Sequence, residues 1–520
     1  MGLWKGTVTL KQLDKRDLVA VFVVASVAVC AAGATLVATA KGIGLQPDSA
    51  AYFVGAQRLA QHPGMFFGLG THPSVGDLTQ WPPFMSLVLA STEWTSIDLM
   101  TRVKVLQVLL AALNVCLIAA VVRRVGSWSA AAVAVVFVAV SAGFITELHG
   151  QFMSEGLFVA FALSAVLTFD LALSAENRLR AINLMVATAV FVVAASLTRI
   201  IGLALVGAFA VVVVLVGRRP LPKWVAIGTL AIASLPSLYW MFGNEAGTRA
   251  TSLGYQSTFL KRTRTGMVTV DSWLVPRRLL VSAPTQTVVT AAAIAVSAAG
   301  VWWFVRWARS AFRSELTPAD RLTVTLVAVG CAYGAFLLWA TLLVDPLVPF
   351  APRTMLPMLI LIVMVAAIRN SERLGTPGGF PRWVWAIGTV WVLVLGGQTA
   401  ADVVDEFTHG SGYRNSEWTD SAAMKWIQTV PDDVTVVSNS PGGIYMLTGH
   451  RVGRLPDPTL ETFNSEALSL GASVNDGSEV IVVFDNAQRV YFPDAEQVTT
   501  ASGVTLKRKG NAAVSADTAG

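Results

Sequence analysis

Long apolar segments separated by short polar connections dominate the hydrophobic pattern of this chain. Each is close to the roughly 17–25 residues that an α-helix needs to cross a hydrocarbon layer of about 30 Å. By residue number they are 18–40, 103–122, 129–146, 156–174, 181–198, 201–217, 223–242, 287–305, 322–343, 354–368 and 383–399. The pattern predicts about eleven transmembrane helices within residues 1–400. The first is expected to be a retained signal anchor, because it is longer than the apolar region of a typical cleaved signal peptide.

The pattern changes after residue 400, where shorter amphipathic and apolar runs replace the long ones. Residues 416–430 have helical spacing, and two β-branched runs at 434–437 and 480–484 indicate short buried strands. We therefore expect a small α/β domain over 401–508. The last residues, 509–520, are expected to form a disordered tail.

Composition agrees with a membrane protein and gives no indication of a nucleic-acid-binding, metal-binding or disulfide-rich protein. The chain has 520 residues, of which 54% are hydrophobic and 13% charged, against about 25% charged residues in soluble domains. Its net charge of +6 does not indicate a nucleic-acid partner, because lysine and arginine at loop positions set membrane topology. The three cysteines, Cys30, Cys116 and Cys331, lie in apolar segments and have neither metal-site nor disulfide spacing.

The basic residues fall mostly on alternate connections between the apolar segments. They are Arg123, Arg124, Arg178, Arg180, Arg218, Arg219, Lys223, Arg306, Arg309, Arg313, Arg369, Arg373 and Arg382. The positive-inside rule places these connections and the basic N-terminus in the cytoplasm of a bacterial inner (plasma) membrane protein. The residues after 400, and a first loop at 41–102, are then extracytoplasmic. The connection over 243–284 is an exception, because it is expected outside and yet contains Lys261, Arg262, Arg264, Arg277 and Arg278.

A set of ionisable residues is predicted to lie at the outer membrane face. It consists of Asp48, Glu147, His149, Glu155, Arg199, Asp345 and Arg353. Charged groups at this depth are costly and are usually paired or functional. A carboxylate can accept the proton of an attacking hydroxyl, and arginines can stabilise a departing phosphate. This combination suits transfer from a phosphate-linked lipid donor.

Several segments occur in an order that resembles the GT-C glycosyltransferases, in particular the branch of protein mannosyltransferases and aminoarabinose transferases. The segments are the acidic start of a juxtamembrane helix at 48–60, Trp81-Pro82-Pro83-Phe84, Ser154-Glu155-Gly156-Leu157-Phe158, Leu197-Thr198-Arg199 and Pro352-Arg353-Thr354-Met355-Leu356-Pro357. The similarity covers roughly residues 15–370. The resemblance implies an inverting transferase that takes a sugar from a polyprenyl phosphate at the outer face. The acceptor would be a glycan, lipid or protein of the cell envelope.

The resemblance implies that Asp48 is the general base, and we expect Glu155 to orient the sugar or acceptor. The donor phosphate is expected to contact Arg199 and Arg353, together with Lys261 and Arg262 of the basic loop. Tyr52, Trp81, Glu147 and His149 are the expected substrate-lining residues. Many relatives carry a second acid where this chain has Ser49, which weakens any inference of a metal held by an acidic pair. We therefore assign no metal ligands, although a divalent cation remains compatible with the sequence.

Structural roles compete with these assignments. Asp48 could be the N-cap of the helix that follows it, and Glu155 could cap or line the next apolar segment. Glu147 and His149 fit solvated loop positions. Arg199 could snorkel to the interface. Arg353 could pair with Asp345, and Lys261, Arg262 and Arg264 could contact lipid headgroups.

Two other functions are also open at the level of sequence. One is a transporter or flippase of a lipid-linked substrate, although no pair of interrupted spans with midplane charges points to it. The other is a non-catalytic protein of cell-envelope assembly in which the C-terminal region is the working part.

Overall fold

The long apolar segments form helices that run back and forth through the molecule. The computed structural model describes residues 14–61, 82–216, 222–243, 255–276, 283–311, 316–344, 350–376, 378–455, 469–470, 472–474, 477–484, 506–509 and 512–515. The helices that carry most of the chain are α1 (Lys15–Ala38), α2 (Pro47–Gln61), α3 (Phe84–Ala90), α4 (Leu99–Arg123), α5 (Trp128–Ala139), α6 (Glu155–Leu173), α7 (Arg178–Thr198), α8 (Leu203–Val216), α9 (Lys223–Gly243), α10 (Tyr255–Leu274), α11 (Ala283–Ala311), α12 (Pro318–Trp339), α13 (Pro352–Arg369), α14 (Ser371–Gly375) and α15 (Arg382–His409).

The predicted fold class is confirmed as a multi-pass helical membrane protein with a small sheet. Among the described residues, nine helices are long and apolar enough to cross a membrane, and α5 and α8 are shorter apolar helices. Together these eleven correspond one for one to the eleven predicted segments. Many large apolar side chains remain exposed on their outer surface, as expected where lipid replaces water.

Buried ion pairs fix the ends of several helices at one face of the bundle. Asp170 of α6 is fully buried and lies 3.2 Å from Nε of Arg124 and 3.5 Å from Nε of Arg321. These contacts join α4, α6 and α12. Nearby, Nη1 of Arg369 on α13 lies 2.6 Å from Asp320 on α12. The C-terminal ends of α4, α6 and α13 therefore lie beside the N-terminal end of α12 at this face. The opposite ends of the same helices lie together at the other face.

The exceptional basic connection contains an amphipathic helix, α10. Its polar residues explain why it is not a span, and Arg264 is exposed. The helix is attached to the start of α13 through Thr269, whose hydroxyl donates a hydrogen bond of 2.8 Å to Phe350 O. Cations on a helix of this kind suit an interfacial position, so they do not contradict the charge pattern of the other connections.

The C-terminal region contains a five-stranded mixed sheet and short helices. The strands are β1 (Thr435–Ser438), β2 (Val452–Arg454), β3 (Glu479–Phe484), β4 (Leu506–Lys509) and β5 (Ala512–Ser515), in the order β2-β1-β3-β5-β4. β1 is parallel to both β2 and β3, whereas β5 is antiparallel to β3 and β4. The helices are α16 (Ser416–Thr419), α17 (Ala422–Ile427) and α18 (Pro441–Thr448).

Two details of this region differ from the sequence-based expectation. The single helix expected over 416–430 is divided into α16 and α17, because Ser421 caps a new helix by accepting a hydrogen bond from Met424 N. Strand β5 lies within the expected disordered tail and pairs antiparallel with β3. The division of the chain into domains stays a prediction.

Candidate active site at the membrane rim

Helix α2 places Asp48 at the rim of the bundle. Proline is favoured in the first helical position, and α2 begins at Pro47, so Asp48 lies in its first turn. The residue before the helix is Gln46, whose N–H donates to the hydroxyl of Ser49. Asp48 is therefore not the N-cap residue. A carboxylate in a first helical turn is stabilised by the helix dipole.

Two hydrogen bonds hold α2 against the chain segment that precedes α6. The buried Ser49 hydroxyl donates 2.8 Å to Phe152 O. The Tyr52 hydroxyl lies 2.9 Å from that of Ser154. Burial raises the pKa of the Tyr52 phenol above its usual range, so this group stays neutral. Because Ser154 immediately precedes Glu155, the two bonds bring the acidic end of α2 close to the start of α6.

Glu155 lies in the first turn of α6 and is the centre of a buried ion-pair cluster. Its side chain is only 3% exposed, and its Oε1 lies 2.7 Å from Nη1 of Arg199 and 3.9 Å from Nε of Arg353. Nη1 of Arg353 is buried and has no hydrogen-bond partner within the described part of the chain. One carboxylate thus faces two guanidinium groups, and part of their donor capacity remains unused.

A tight reversal of the chain aims Arg199 at this cluster. Arg199 ends α7 with an extended backbone, and a 3-10 turn, Ile200–Gly202, leads directly into α8. A Cβ at Gly202 would lie 2.6 Å from the backbone of Ser196, so the reversal requires glycine. Burial alone would lower the pKa of Arg199, but the Glu155 carboxylate holds that pKa above its usual range. The Asp48 carboxylate adds to this upward shift more weakly than Glu155 does.

Tyr333 is a member of this site that sequence reasoning missed. It lies on α12, is 5% exposed and donates a hydrogen bond of 2.7 Å to Thr354 O at the start of α13. It also interacts electrostatically with Arg199 and Glu155. The available signal was a phenol inside an apolar segment of a chain with only seven tyrosines. Such a group needs a polar partner when buried.

An apolar cavity lies close to the ion-pair cluster. Its walls come from α6, the turn before α8, α8 itself, α12 and α13. Four lining residues lie within about one helical turn of the cluster or belong to it: Phe158, Ile201, Tyr333 and Pro357. The remaining lining side chains are aliphatic. The site therefore combines a charged rim with an apolar interior.

The other expected site residues are not part of this cluster. His149 is fully buried, so the solvated alternative is wrong for it; it packs edge-on to Phe144 and lies 3.5 Å from the amide of Asn114. Glu147 is partly buried and lies towards the carboxylate of Glu406. Trp81, Asp345 and the side chains of Lys261 and Arg262 lie outside the described residues. The substrate-lining and phosphate-binding roles of these residues stay predictions.

The side chains present give no support to a metal held by neighbouring acids. The hydroxyl of Ser49, which stands beside Asp48, is already used by Phe152, and Glu155 is engaged by arginines. Within the described residues, no group of three or more histidine, cysteine, aspartate or glutamate side chains has the arrangement of a metal site.

These features define the protein as a multi-pass helical membrane protein with a buried charged site at one rim. No family model matches the chain, and no curated protein matches it.

Several solved structures have a chain path similar to that of this protein. ArnT from Cupriavidus metallidurans in the apo state aligns with 96% of this chain and 98% of its own, at 14% identity and a TM-score of 0.49. The structure of the same protein bound to undecaprenyl phosphate aligns with 98% of this chain and 100% of its own, at 14% identity and a TM-score of 0.45. A third structure is the archaeal oligosaccharyltransferase AglB from Archaeoglobus fulgidus in complex with an inhibitory peptide and a dolichol-phosphate. It aligns with 91% of this chain and 71% of its own, at 12% identity and a TM-score of 0.47. The likeness at this level is one of chain path alone.

Proposed function

We propose that this protein is a glycosyltransferase that moves a sugar from a polyprenyl phosphate to a hydroxyl-bearing acceptor of the cell envelope. The observation that carries the proposal is the position of Arg199 and Arg353. Both guanidinium groups meet at the buried Glu155, beside the apolar cavity and on the same rim as Asp48.

The two arginines suit the phosphate of the donor. Arginine presents planar, fixed donors that match phosphate oxygens, and Nη1 of Arg353 is buried without a hydrogen-bond partner among the described residues. Glu155 compensates part of the local positive charge and holds both side chains in place. We propose this holding role for Glu155, with contact to the sugar or acceptor as a further role. A buried cationic pair stabilises negative charge best in a site that excludes water.

The apolar cavity suits the first isoprenoid units of the donor lipid. A donor whose phosphate is bound by Arg199 and Arg353 must place its hydrocarbon chain close to these residues. The cavity begins within about one helical turn of both arginines and is lined by aliphatic and aromatic side chains. Its interior offers little to a free sugar nucleotide, which is polar throughout.

Asp48 is the proposed general base. It would accept the proton of the acceptor hydroxyl while the hydroxyl oxygen forms a bond to the anomeric carbon. The bond between that carbon and the phosphate oxygen breaks, and both of its electrons leave with the phosphate. Arg199 and Arg353 stabilise the resulting charge. In-line attack on the face opposite the phosphate inverts the anomeric configuration.

The variant Asp48→Asn tests this role. We expect its transfer rate to fall by about 10²–10⁴, the usual contribution of a general base. Binding of undecaprenyl phosphate by the purified protein should stay within about twofold of wild type, because the arginines and the cavity are untouched. The matched control is Asp98→Asn, the same change at an exposed residue that caps α4, where asparagine caps equally well.

A fully active Asp48→Asn protein would exclude this mechanism. The transport alternative is tested in proteoliposomes that contain a fluorescent polyprenyl-phosphate sugar. Movement of the lipid between leaflets without formation of a new glycosidic bond would support a flippase and overturn the proposed transferase.

A further inference from the structure

Three chain segments that are far apart in sequence meet directly before Asp48; we call them the clasp (44–45, 150–152 and 411–413). On one side, Gly44 N–H donates 2.9 Å to Gly150 O, and Phe152 N–H donates 2.8 Å to Gly44 O. These two bonds form a parallel bridge. They join the segment before Asp48 to the segment that leads into Glu155.

The other side of the clasp ties the same short segment to the chain that follows α15. Leu45 N–H donates 3.4 Å to Ser411 O, and Tyr413 N–H donates 2.9 Å to Leu45 O. This is a second parallel bridge, formed by Leu45 and Gly412. Leu45 is fully buried, so its backbone groups have no solvent to replace these partners. The clasp therefore connects Asp48, Glu155 and the C-terminal region through one continuous set of backbone hydrogen bonds.

Glycines make this close approach possible. Gly412 has a φ of +58°, and a Cβ at this position would collide with the carbonyl oxygen of Leu45. A Cβ at Gly44 would lie 2.9 Å from Cβ of Ser411. By contrast, Gly449 at the end of α18 also has a positive φ, of +77°, but a Cβ there would meet nothing within 4 Å.

The clasp sets the backbone position of Tyr413, whose N–H is bonded to Leu45 O. Its ring packs edge-on against Trp418, with 4.8 Å between the centroids, and its hydroxyl shares a side-chain hydrogen bond with Ser440. A Cβ at Gly443 would lie 2.8 Å from this ring, so α18 also approaches it closely. Tyr413 interacts electrostatically with Asp48. Burial raises the pKa of the Tyr413 phenol to about 12, so the group is a neutral hydroxyl at physiological pH.

Helix α18 packs against α2 beside Tyr413. Phe53 and Tyr445 form an edge-on pair with 6.2 Å between their centroids. A Cβ at Gly442 would lie 3.1 Å from that of Ala50. The first turn of α18 thus lies next to the first turn of α2, which carries Asp48.

We propose that Tyr413 is a positioning residue for Asp48 and that the clasp holds the two residues in register. The proposal rests on the proposed function. The neutral phenol orients the carboxylate and favours its ionised form, as hydroxyl donors near carboxylates do. The C-terminal region is then a part of the site itself, on the side from which the acceptor enters.

The clasp is tested by hydrogen exchange on the full-length protein in detergent. Gly412→Ala is compared with Gly449→Ala, since both place alanine at a positive φ but only the first produces a collision. We expect exchange in peptides covering 42–52 and 150–154 to become at least about tenfold faster in Gly412→Ala, equivalent to about 1.4 kcal/mol. Gly449→Ala should match wild type in these peptides. Equal exchange in both variants would overturn the clasp, whatever the activity.

The role of Tyr413 is tested by Tyr413→Phe, which keeps the ring and removes the hydroxyl. The assay follows transfer from a polyprenyl-phosphate sugar that the wild-type protein turns over. We expect kcat to fall and the acidic limb of the pH profile to move to higher pH, because Asp48 loses a group that favours its charge. The matched control, Tyr239→Phe, removes a hydroxyl from an exposed tyrosine of α9 and should leave kcat and the acidic limb unchanged.

Binding of undecaprenyl phosphate separates this result from loss of folding. We expect both tyrosine variants to bind it as wild type does, because the arginines and the cavity are unchanged. A wild-type pH profile and kcat in Tyr413→Phe would overturn the positioning role alone. A wild-type protein that binds undecaprenyl phosphate but never transfers sugar would overturn the proposed function and, with it, this role.

Discussion

The contact between Glu155 and Arg199 is a short, buried ion pair in the site. Its atoms lie 2.7 Å apart, and the carboxylate is almost fully buried. Breaking one partner of a buried pair is costly, because the remaining charge loses both its counterion and its water. The pair therefore contributes to folding as well as to the proposed phosphate site.

We predict that Arg199→Gln lowers the stability of the protein by about 3–5 kcal/mol. The double variant Glu155→Gln/Arg199→Gln should lose less than the sum of its single variants, because neither buried charge is left without its partner. Thermal unfolding in detergent, followed for all four members of the cycle, measures this coupling. Strictly additive effects would show that the two side chains do not interact energetically.

His149 is expected to make stability depend on pH. Burial lowers the pKa of this imidazole from its usual 6.5 to about 3. The unfolded chain therefore binds a proton between pH 6.5 and 3 that the folded chain does not, so stability decreases as the pH falls through this window. We predict that His149→Gln removes up to about 1.4 kcal/mol per pH unit from that slope. Unfolding midpoints of both proteins between pH 7 and 4 give the comparison, and parallel slopes would contradict it.

For single residues, the sequence predicted which charged side chains would come together better than it predicted how deeply each side chain is buried and what it packs against. Charge and position in an apolar chain were sufficient to select Glu155, Arg199 and Arg353, which form ion pairs in the fold, whereas the role of Asp48 stays a prediction. The burial of His149 was not predictable, because it depends on Asn114 and Phe144 from neighbouring parts of the fold.

Among the helices, the packing of α6 against α4 depends on one small residue. A Cβ at Gly156 would lie 2.9 Å from Nδ1 of His149 and 3.0 Å from Oε1 of Gln107. The amide of Asn114 also donates 2.9 Å to Gly156 O. The start of α6, and with it Glu155, is therefore set by close contact with polar side chains of α4.

We predict that Gly156→Ala destabilises the protein, because the added methyl must displace His149 or Gln107. Overpacking of this kind typically costs about 1–3 kcal/mol. Gly207→Ala on α8 is the control: nothing lies within 4 Å of its Cβ, and alanine favours a helix by about 0.5–1 kcal/mol. Unfolding temperatures in detergent should fall for the first variant and stay level or rise for the second. Equal shifts would contradict the role given to Gly156.

The helices of the membrane region were largely predictable, because the length of an apolar segment decides whether it forms a helix that crosses the membrane. Every predicted apolar segment corresponds to a helix, since the membrane requires internally satisfied backbone hydrogen bonds. The C-terminal region was less predictable, because its helices and strands are short. The cap at Ser421 and the pairing of β5 with β3 depend on local and long-range contacts that periodicity does not reveal.

For the whole molecule, the alternation of basic connections predicts the orientation in the membrane. We expect alkaline phosphatase fused after Gly410 to be active, because this position follows the eleventh crossing and is predicted to be extracytoplasmic. A fusion after Asn370, beside Arg369 and Arg373, should be inactive in cells that express both proteins at equal levels. The opposite pattern would reverse the proposed sidedness of Asp48 and of the arginines.

The meeting of residues 44–45 with 411–413 has a consequence for biosynthesis. The proposed base is encoded near the beginning of the chain, but the backbone partners that fix its setting emerge only after every crossing has been inserted. A nascent or prematurely terminated chain would thus already contain the arginines and the cavity while lacking a finished reaction centre. With the proposed function, such a protein would bind the donor lipid without transferring its sugar. Turnover would begin only after residues 411–413 had been synthesised and had paired with residues 44–45.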